Sequence, residues 1–200
     1  MQVPQIKIER SARNSVVRNS IIYVLLILAF GVAVPAAKGL GFFDPTLLAA
    51  YACLGTIFAG PAAAQKFEER PASFGQAMRW ILRAVLFGEL IAVAMLACGV
   101  ATVYYTSRGG FFSPDLVTLG YSLWLGLAAC LALASLAAWV TLAFSAGAAR
   151  MTLRAIFVGL LVLYYLRGAW LTDVAGPGIL ICLIAAAMFA MLLRHILRKP

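Results

Sequence analysis

Residues 65–89 read QKFEERPASFGQAMRWILRAVLFGE, and they hold the largest group of charges in a chain that is otherwise mostly apolar. We call this stretch the charged segment. Apolar runs without a single charge lie on either side of it, at 45–64 and 90–105. Because charge separates the two runs, we expect two membrane spans with a polar connection that a soluble partner can reach. The charged side chains of the segment are Lys66, Glu68, Glu69, Arg70, Arg79, Arg83 and Glu89.

The composition of the whole chain points to the same class of protein. Of the 200 residues, 64% are hydrophobic and only 12% are charged, and the mean hydropathy is +0.98. A soluble domain carries about 25% charged residues, so this chain has too little polar surface to cover a globule in water. The composition therefore predicts an integral membrane protein, and it excludes an ordinary soluble enzyme or nucleic-acid-binding domain.

The chain reads as a single all-α transmembrane domain, 1–200, with six spans. Residues 1–19 are basic with interleaved apolar residues, which predicts an amphipathic helix on the membrane surface or, alternatively, a disordered basic tail. Each later apolar run approaches the roughly 20 residues that cross a bilayer. A coupling segment at 65–83 joins spans two and three. The predicted spans are about 20–37, 45–64, 84–105, 117–145, 151–170 and 176–194.

Local signals refine these boundaries. The Gly-Pro pair at 60–61 is expected to kink or loosen the end of span two. Pro71 suits the first turn of a new helix. The uncharged run 116–149 would make a helix of about 51 Å, too long for one span. We therefore expect it to break near Ser145, with Gly147 in the turn.

The basic residues predict the orientation. The N-terminal segment, the charged segment, the Arg150–Arg154 turn and the C-terminus hold thirteen of the sixteen Lys and Arg residues. The opposite turns hold only Lys38, Arg108 and Arg167. Basic residues in short loops favour the cytoplasmic side, so both termini and the charged segment are predicted to be cytoplasmic.

Helical spacing gives the charged segment two faces. Arg79 and Arg83 lie four residues apart on one face, while Phe74, Met78 and Leu82 follow the same spacing on another. This pattern predicts a short amphipathic helix that runs into span three. Such a helix suits a groove on a partner protein.

Glu89 is the one acidic residue inside a predicted span. An ionisable group there counts as a candidate intramembrane site, because burying it in hydrocarbon costs free energy. It lies six residues past Arg83, about 9 Å along a helix. The alternative is therefore that Glu89 stays near the cytoplasmic interface, hydrated or paired with Arg83 or Arg79.

Catalytic and cofactor signals are missing from the chain. No GxxxxGK[ST] sequence occurs, and the single histidine, His195, supports neither a catalytic triad nor paired haem ligands. The four cysteines stand singly in apolar runs without metal-ligand spacing. We therefore expect no intrinsic enzyme activity, no metal and no cofactor. In span four, small residues at four-residue spacing predict close helix packing, namely Gly126, Cys130, Ala134 and Ala138.

The layout around Glu69-Arg70, the helix 71–82 and the span-three entrance Arg83-Ala84-Val85-Leu86-Phe87-Gly88-Glu89-Leu90 resembles that of ABC-2-type transporter permeases. The resemblance is one of pattern over nearly the whole chain. It implies the membrane subunit of an exporter in the bacterial inner membrane. Its partners would be lipids, a second permease copy or homologue and a separate ATP-binding cassette ATPase, with no nucleic acid. The residues that would contact the ATPase are Glu69, Arg70, Phe74, Met78, Arg79 and Arg83.

Two features depart from that family pattern. The connection between spans five and six is shorter than the re-entrant hairpin common there, and Glu89 has no counterpart in the pattern.

A structural subunit that scaffolds a larger membrane complex remains the alternative function, because packing faces and conduit faces look alike when both are apolar. An intramembrane enzyme or channel built on Glu89 is the least favoured, since one acid without a polar partner makes a poor relay. The scarcity of polar residues in the spans favours a hydrophobic substrate, and the sequence names none.

Overall fold

The computed structural model describes residue 25 and residues 45–106, 116–167 and 175–198. Within these ranges every regular element is helical, as the sequence predicts. The described residues leave out the predicted N-terminal helix at 1–19, span one except Leu25, and most of the three outer turns, namely 38–44, 107–115 and 168–174. The helices are α1 (Pro45–Phe67), α2 (Phe74–Thr106), α3 (Leu116–Ala143), α4 (Ala146–Arg167) and α5 (Ala175–Arg198).

Helix α1 continues past the Gly-Pro pair that was expected to loosen its end. Pro61 lies inside the helix, which runs on to Phe67. Ala63 and Phe67 in these last turns are completely buried. A proline removes one backbone donor, and the burial of this face holds the remaining turns in place. The expectation of loosened last turns is therefore wrong.

Helix α2 begins at a polar cap. The Gln76 N–H donates to Ser73 Oγ (3.2 Å), while Gln76 Oε1 accepts from the Ala72 N–H (2.9 Å). This reciprocal pattern is a variant of the capping box, in which the Gln76 side chain accepts from the N–H of Ala72, the residue before the cap, and not from the N–H of Ser73. Pro71 is buried ahead of the helix rather than in its first turn, so that prediction is wrong. Ser73 sets the start of the helix instead.

Loss of this cap has a measurable cost. We expect Ser73→Ala to lower the free energy of unfolding by about 1 kcal/mol, because an orphan N–H of the first turn loses its acceptor. Unfolding of the purified chain in mixed micelles with increasing SDS measures the change. Ser122→Ala, inside α3, is the matched control and should be close to neutral. Equal unfolding midpoints for the Ser73→Ala protein and the unmodified chain would contradict the assignment.

Helix α2 is one uninterrupted element of 33 residues, about 50 Å long. The predicted coupling helix and the predicted span three are parts of this single helix, with no break at residues 83–84. No proline occurs between Phe74 and Thr106, so the backbone hydrogen bonds continue. Whatever binds near Phe74 is therefore mechanically connected to the far end of α2.

The turn between α3 and α4 lies close to its predicted position. It contains Phe144 and Ser145, while Gly147 belongs to α4 rather than to the turn. The reason is that the Ser145 carbonyl already accepts from the Ala149 N–H (2.8 Å), which starts α4 ahead of Gly147. Phe144 packs edge-on against Trp139, with ring centroids 5.9 Å apart.

Helices α1 and α3 form the centre of the bundle. Helix α2 packs mainly on α1 and also meets α3, α5 packs on α3, and α4 touches α3 and α1 more lightly. The predicted small-residue stripe on α3 faces this centre, since Gly126 is buried and Cys130, Ala134 and Ala138 are fully enclosed. The prediction of close packing on that stripe is confirmed.

Helices α1 and α2 approach each other closely at two glycines. A Cβ built on Gly88 would lie 2.6 Å from the Gly55 carbonyl oxygen, 2.9 Å from Ala59 Cβ and 3.2 Å from Cys130 Sγ. A Cβ built on Gly55 would likewise lie 2.9 Å from the Gly88 carbonyl oxygen. Only the absence of side chains lets these backbones meet, as in the small-residue contacts of membrane helices.

Three of the described helices are long and apolar enough to cross a membrane. The qualifying stretches are Phe74–Cys98, Leu119–Ala143 and Gly176–Arg198, with mean hydropathies of 2.1, 2.1 and 2.4. Only 11% of the last stretch is buried in the described packing, so most of its apolar surface lies outside the contacts between the described helices. The full set of six spans remains a prediction.

Candidate functional site

The end of the α1–α2 hairpin is a compact turn at residues 68–73. Three consecutive N–H groups fold it back on α1: Glu68 donates to Ala64, Glu69 to Lys66 and Arg70 to Phe67, each at 3.2 Å. Arg70 then takes a positive φ of 47°. A non-glycine residue in this left-handed region is uncommon and is strained by about 1–2 kcal/mol. The turn therefore holds Arg70 in one backbone conformation.

An aromatic pair fixes the hairpin from within. Phe67, at the end of α1, is completely buried, and its ring meets Trp80 of α2 edge-on at 5.7 Å. Ala77 and Ile81 on the same face of α2 are also fully buried. The hairpin end is therefore packed against the bundle and does not hang from it as a loose loop.

The predicted partner-binding residues fall into two groups. Glu69, Arg70, Arg79 and Arg83 are exposed, as a docking surface requires. Phe74 and Met78, predicted as the apolar part of that surface, are half-buried within the chain's own fold. The sequence periodicity could not distinguish an apolar face turned toward a partner from one that is partly covered by the chain's own fold.

An ion pair joins Lys66 Nζ to Glu69 Oε1 across 3.8 Å. Both side chains are more than half exposed. Exposed pairs of this kind contribute at most about 1 kcal/mol, so Glu69 can exchange Lys66 for a partner's cation at little cost.

A cavity of about 350 Å³ lies between the hairpin end and the α3–α4 turn. Its floor is apolar and includes Phe67 and Leu153, while Glu68, Arg70 and Ser145 bring polar groups to it. The remaining lining residues are Ala64, Thr141, Leu142, Phe144 and Ala149. The sequence could not indicate this cavity, because residues far apart in the chain form it.

The exposed basic residues of several helices gather at this end of the bundle. Leu153 of α4 and Leu193 of α5 belong to the same buried cluster as Phe67. The charges next to them in sequence therefore lie near the hairpin end as well. This clustering agrees with the charge bias from which the cytoplasmic side was predicted. The described exposed cations are Lys66, Arg70, Arg79, Arg83, Arg154, Arg194 and Arg198.

Glu89 lies apart from these charges, within the apolar stretch of α2. Its side chain is half-buried, and its Oε2 atom is enclosed without any hydrogen-bond partner among the described residues. The structure pairs it with neither Arg79 nor Arg83. Arg83 is about 9 Å away along the axis and about 120° around the helix, which places the two side chains on different faces.

The described part of the chain brings no set of metal ligands together. No group of three or more His, Cys, Asp or Glu side chains gathers among these residues. Cys98, Cys130 and Cys182 are not in disulfides. Among the residues whose side chains the structure describes, Glu89 is the chemical group that stands out from the apolar spans.

No protein-family model, curated protein or solved structure matches this sequence. A function is therefore inferred from the fold and from the chemistry of two regions, the hairpin end and the surroundings of Glu89. The fold defines an all-helical chain in which three helices are long and apolar enough to cross a bilayer.

Proposed function

We propose that the chain is the membrane-spanning permease subunit of an ABC-type exporter, driven by ATP hydrolysis in a separate ATPase subunit. The observation that carries this proposal is the direct continuity between the charged hairpin end and helix α2. An ATPase bound near Arg79 and Arg83 would hold the same rigid helix that crosses the apolar stretch Phe74–Cys98. Both termini are on the cytoplasmic side in this proposal, and the membrane is the bacterial inner membrane.

Movement of the ATPase would reach α1 as well as α2. The Gly55–Gly88 contact at the middle of α1 and the Phe67–Trp80 pair at the hairpin end hold the two helices together. A force on the hairpin end would therefore displace α1 and α2 as one unit against α3. The substrate pathway lies between two permease copies, because the described helices pack closely within one copy.

Charge reversal tests the proposed coupling. The chain is purified from its native membrane with its attached ATPase and reconstituted in lipid vesicles. We expect Arg79→Glu combined with Arg83→Glu to reduce ATP hydrolysis by the complex at least tenfold, because exposed cations that meet acidic partner groups become repulsive. Arg194→Glu combined with Arg198→Glu is the matched control, since these exposed cations lie at the same end but outside the hairpin.

Two results would contradict the proposal. Unchanged hydrolysis after the Arg79 and Arg83 reversals would remove their coupling role. Purification of the chain with no ATP-hydrolysing partner would favour the alternative, a structural subunit of a larger membrane complex. The close Gly55–Gly88 contact favours that alternative, because it makes each copy rigid.

A further inference from the structure

Glu89 occupies a boundary on the surface of α2. One turn away on one side, Val85 and Ala92 are buried against the bundle, at 3% and 4% exposure. One turn away on the other side, Leu86 and Val93 face outward, at 66% and 43%. The carboxyl group therefore lies where the packed core of the bundle meets the surface turned toward lipid.

Among the described residues, the enclosed oxygen of Glu89 has no hydrogen-bond partner. A buried acceptor without a partner costs free energy, and more when it carries charge. The neighbouring helix surface offers no donor, because Val85, Leu86, Ala92 and Val93 carry only hydrocarbon side chains. A ligand that brings a positive charge next to this half-buried side chain would offset the part of the cost that comes from the charge of the carboxylate.

We infer that Glu89 binds the cationic group of a membrane-soluble amphiphile that enters from the bilayer. Its apolar part would lie along the exposed stripe Leu86, Leu90 and Val93, with Leu90 67% exposed. Charge complementarity selects this ligand class, since the site joins one carboxylate to an apolar surface. A zwitterionic lipid headgroup fits less well. Glu89 lies about 9 Å beyond Arg83 along α2, so the lipid's phosphate would enter hydrocarbon together with its ammonium group, which costs free energy.

This inference depends on the proposed function only in calling the ligand a transport substrate. The binding site belongs to the chain alone, so it can be tested without an ATPase. A positive result with no ATPase partner would leave the site standing and remove the transporter. No binding to the chain, together with an ATPase that the chain stimulates, would leave the transporter standing and remove the site.

Equilibrium binding of tetraphenylphosphonium to the full chain in phosphatidylcholine nanodiscs provides the test. Tetraphenylborate, an anion of nearly the same shape, is the matched ligand control. We expect saturable binding of the cation only, and a Kd at least tenfold higher for Glu89→Gln, which keeps the shape and removes the charge. Glu68→Gln, at the exposed hairpin end, should leave the Kd unchanged.

A second variant keeps the test independent of how well Glu89→Gln folds. Val93→Lys places a tethered ammonium four residues beyond Glu89, a spacing that favours Glu–Lys pairing on a helix. This internal cation should also raise the Kd for the probe at least tenfold. Equal affinity in the Glu89→Gln or Val93→Lys protein, no binding to the unmodified chain, or equal binding of cation and anion would each overturn the inference.

Discussion

Gly88→Ala is expected to destabilise the folded chain by about 1–3 kcal/mol, although alanine is the better helix former. The added methyl group would meet the Gly55 carbonyl oxygen at 2.6 Å and Ala59 Cβ at 2.9 Å. Neither is the end of a flexible side chain, so the backbones of α1 and α2 must separate. Separation would also weaken the contact of α2 with Cys130 on α3. SDS-induced unfolding in mixed micelles measures the loss.

Gly120→Ala is the matched control for this substitution. Gly120 lies inside α3, and a Cβ built there meets none of the described residues within 4 Å. The same change should therefore stabilise α3 by up to about 1 kcal/mol, through helix propensity alone. If the stabilities of the Gly88→Ala and Gly120→Ala proteins shift in the same direction, the Gly55–Gly88 contact does not limit the approach of α1 and α2.

Phe67→Ala is expected to cost about 3–5 kcal/mol, the usual range for removing a buried aromatic ring. Phe67 is among the largest completely buried side chains, and it forms the edge-on pair with Trp80. Removing the ring would extend the neighbouring cavity into the base of the hairpin, because Phe67 already lines that cavity. Denaturant unfolding followed by tryptophan fluorescence reports the change.

Phe144→Ala provides the comparison. Phe144 also packs edge-on against a tryptophan and lines the same cavity, but it is 47% exposed. We expect less than half the loss caused by Phe67→Ala, since much of its ring is already outside the packed interior. A larger loss for the Phe144→Ala protein would contradict the placement of the core around Phe67.

Features that depend on neighbours in the chain were readable from the sequence. The break between α1 and α2, at residues 68–73, lies inside the charged segment, and the stripe through Cys130 is buried as its spacing indicates. The Ser73–Gln76 cap follows the S-x-x-Q pattern, which marks a helix start in the sequence itself. The Gly-x-x-x-Ala patterns beginning at Gly55 and Gly88 were also present, and they mark helix faces that allow close approach.

Features that depend on tertiary placement were not readable. The small-residue patterns do not say that Gly55 meets Gly88 rather than another stripe. The half-burial of Phe74 and Met78 requires knowing where α1 lies. The cavity joins Arg70 to Ser145 across a large sequence separation. Glu89 is an intermediate case. Helical geometry already predicts that Arg83 lies on a different face of α2, whereas the enclosure of the Glu89 Oε2 atom depends on tertiary packing.

The lengths of α2 and α3 make the chain sensitive to hydrophobic mismatch. The qualifying stretch of α3 contains 25 residues, about 38 Å of helix, and α2 continues for 23 residues past Arg83, about 35 Å, whereas the hydrocarbon of an average bilayer is about 30 Å thick. Helices that exceed the bilayer thickness tilt or thicken the lipid around them. A thinner bilayer would thus incline α2 further and carry the hairpin end sideways with it, which would make lipid chain length a control on the position of the hairpin end.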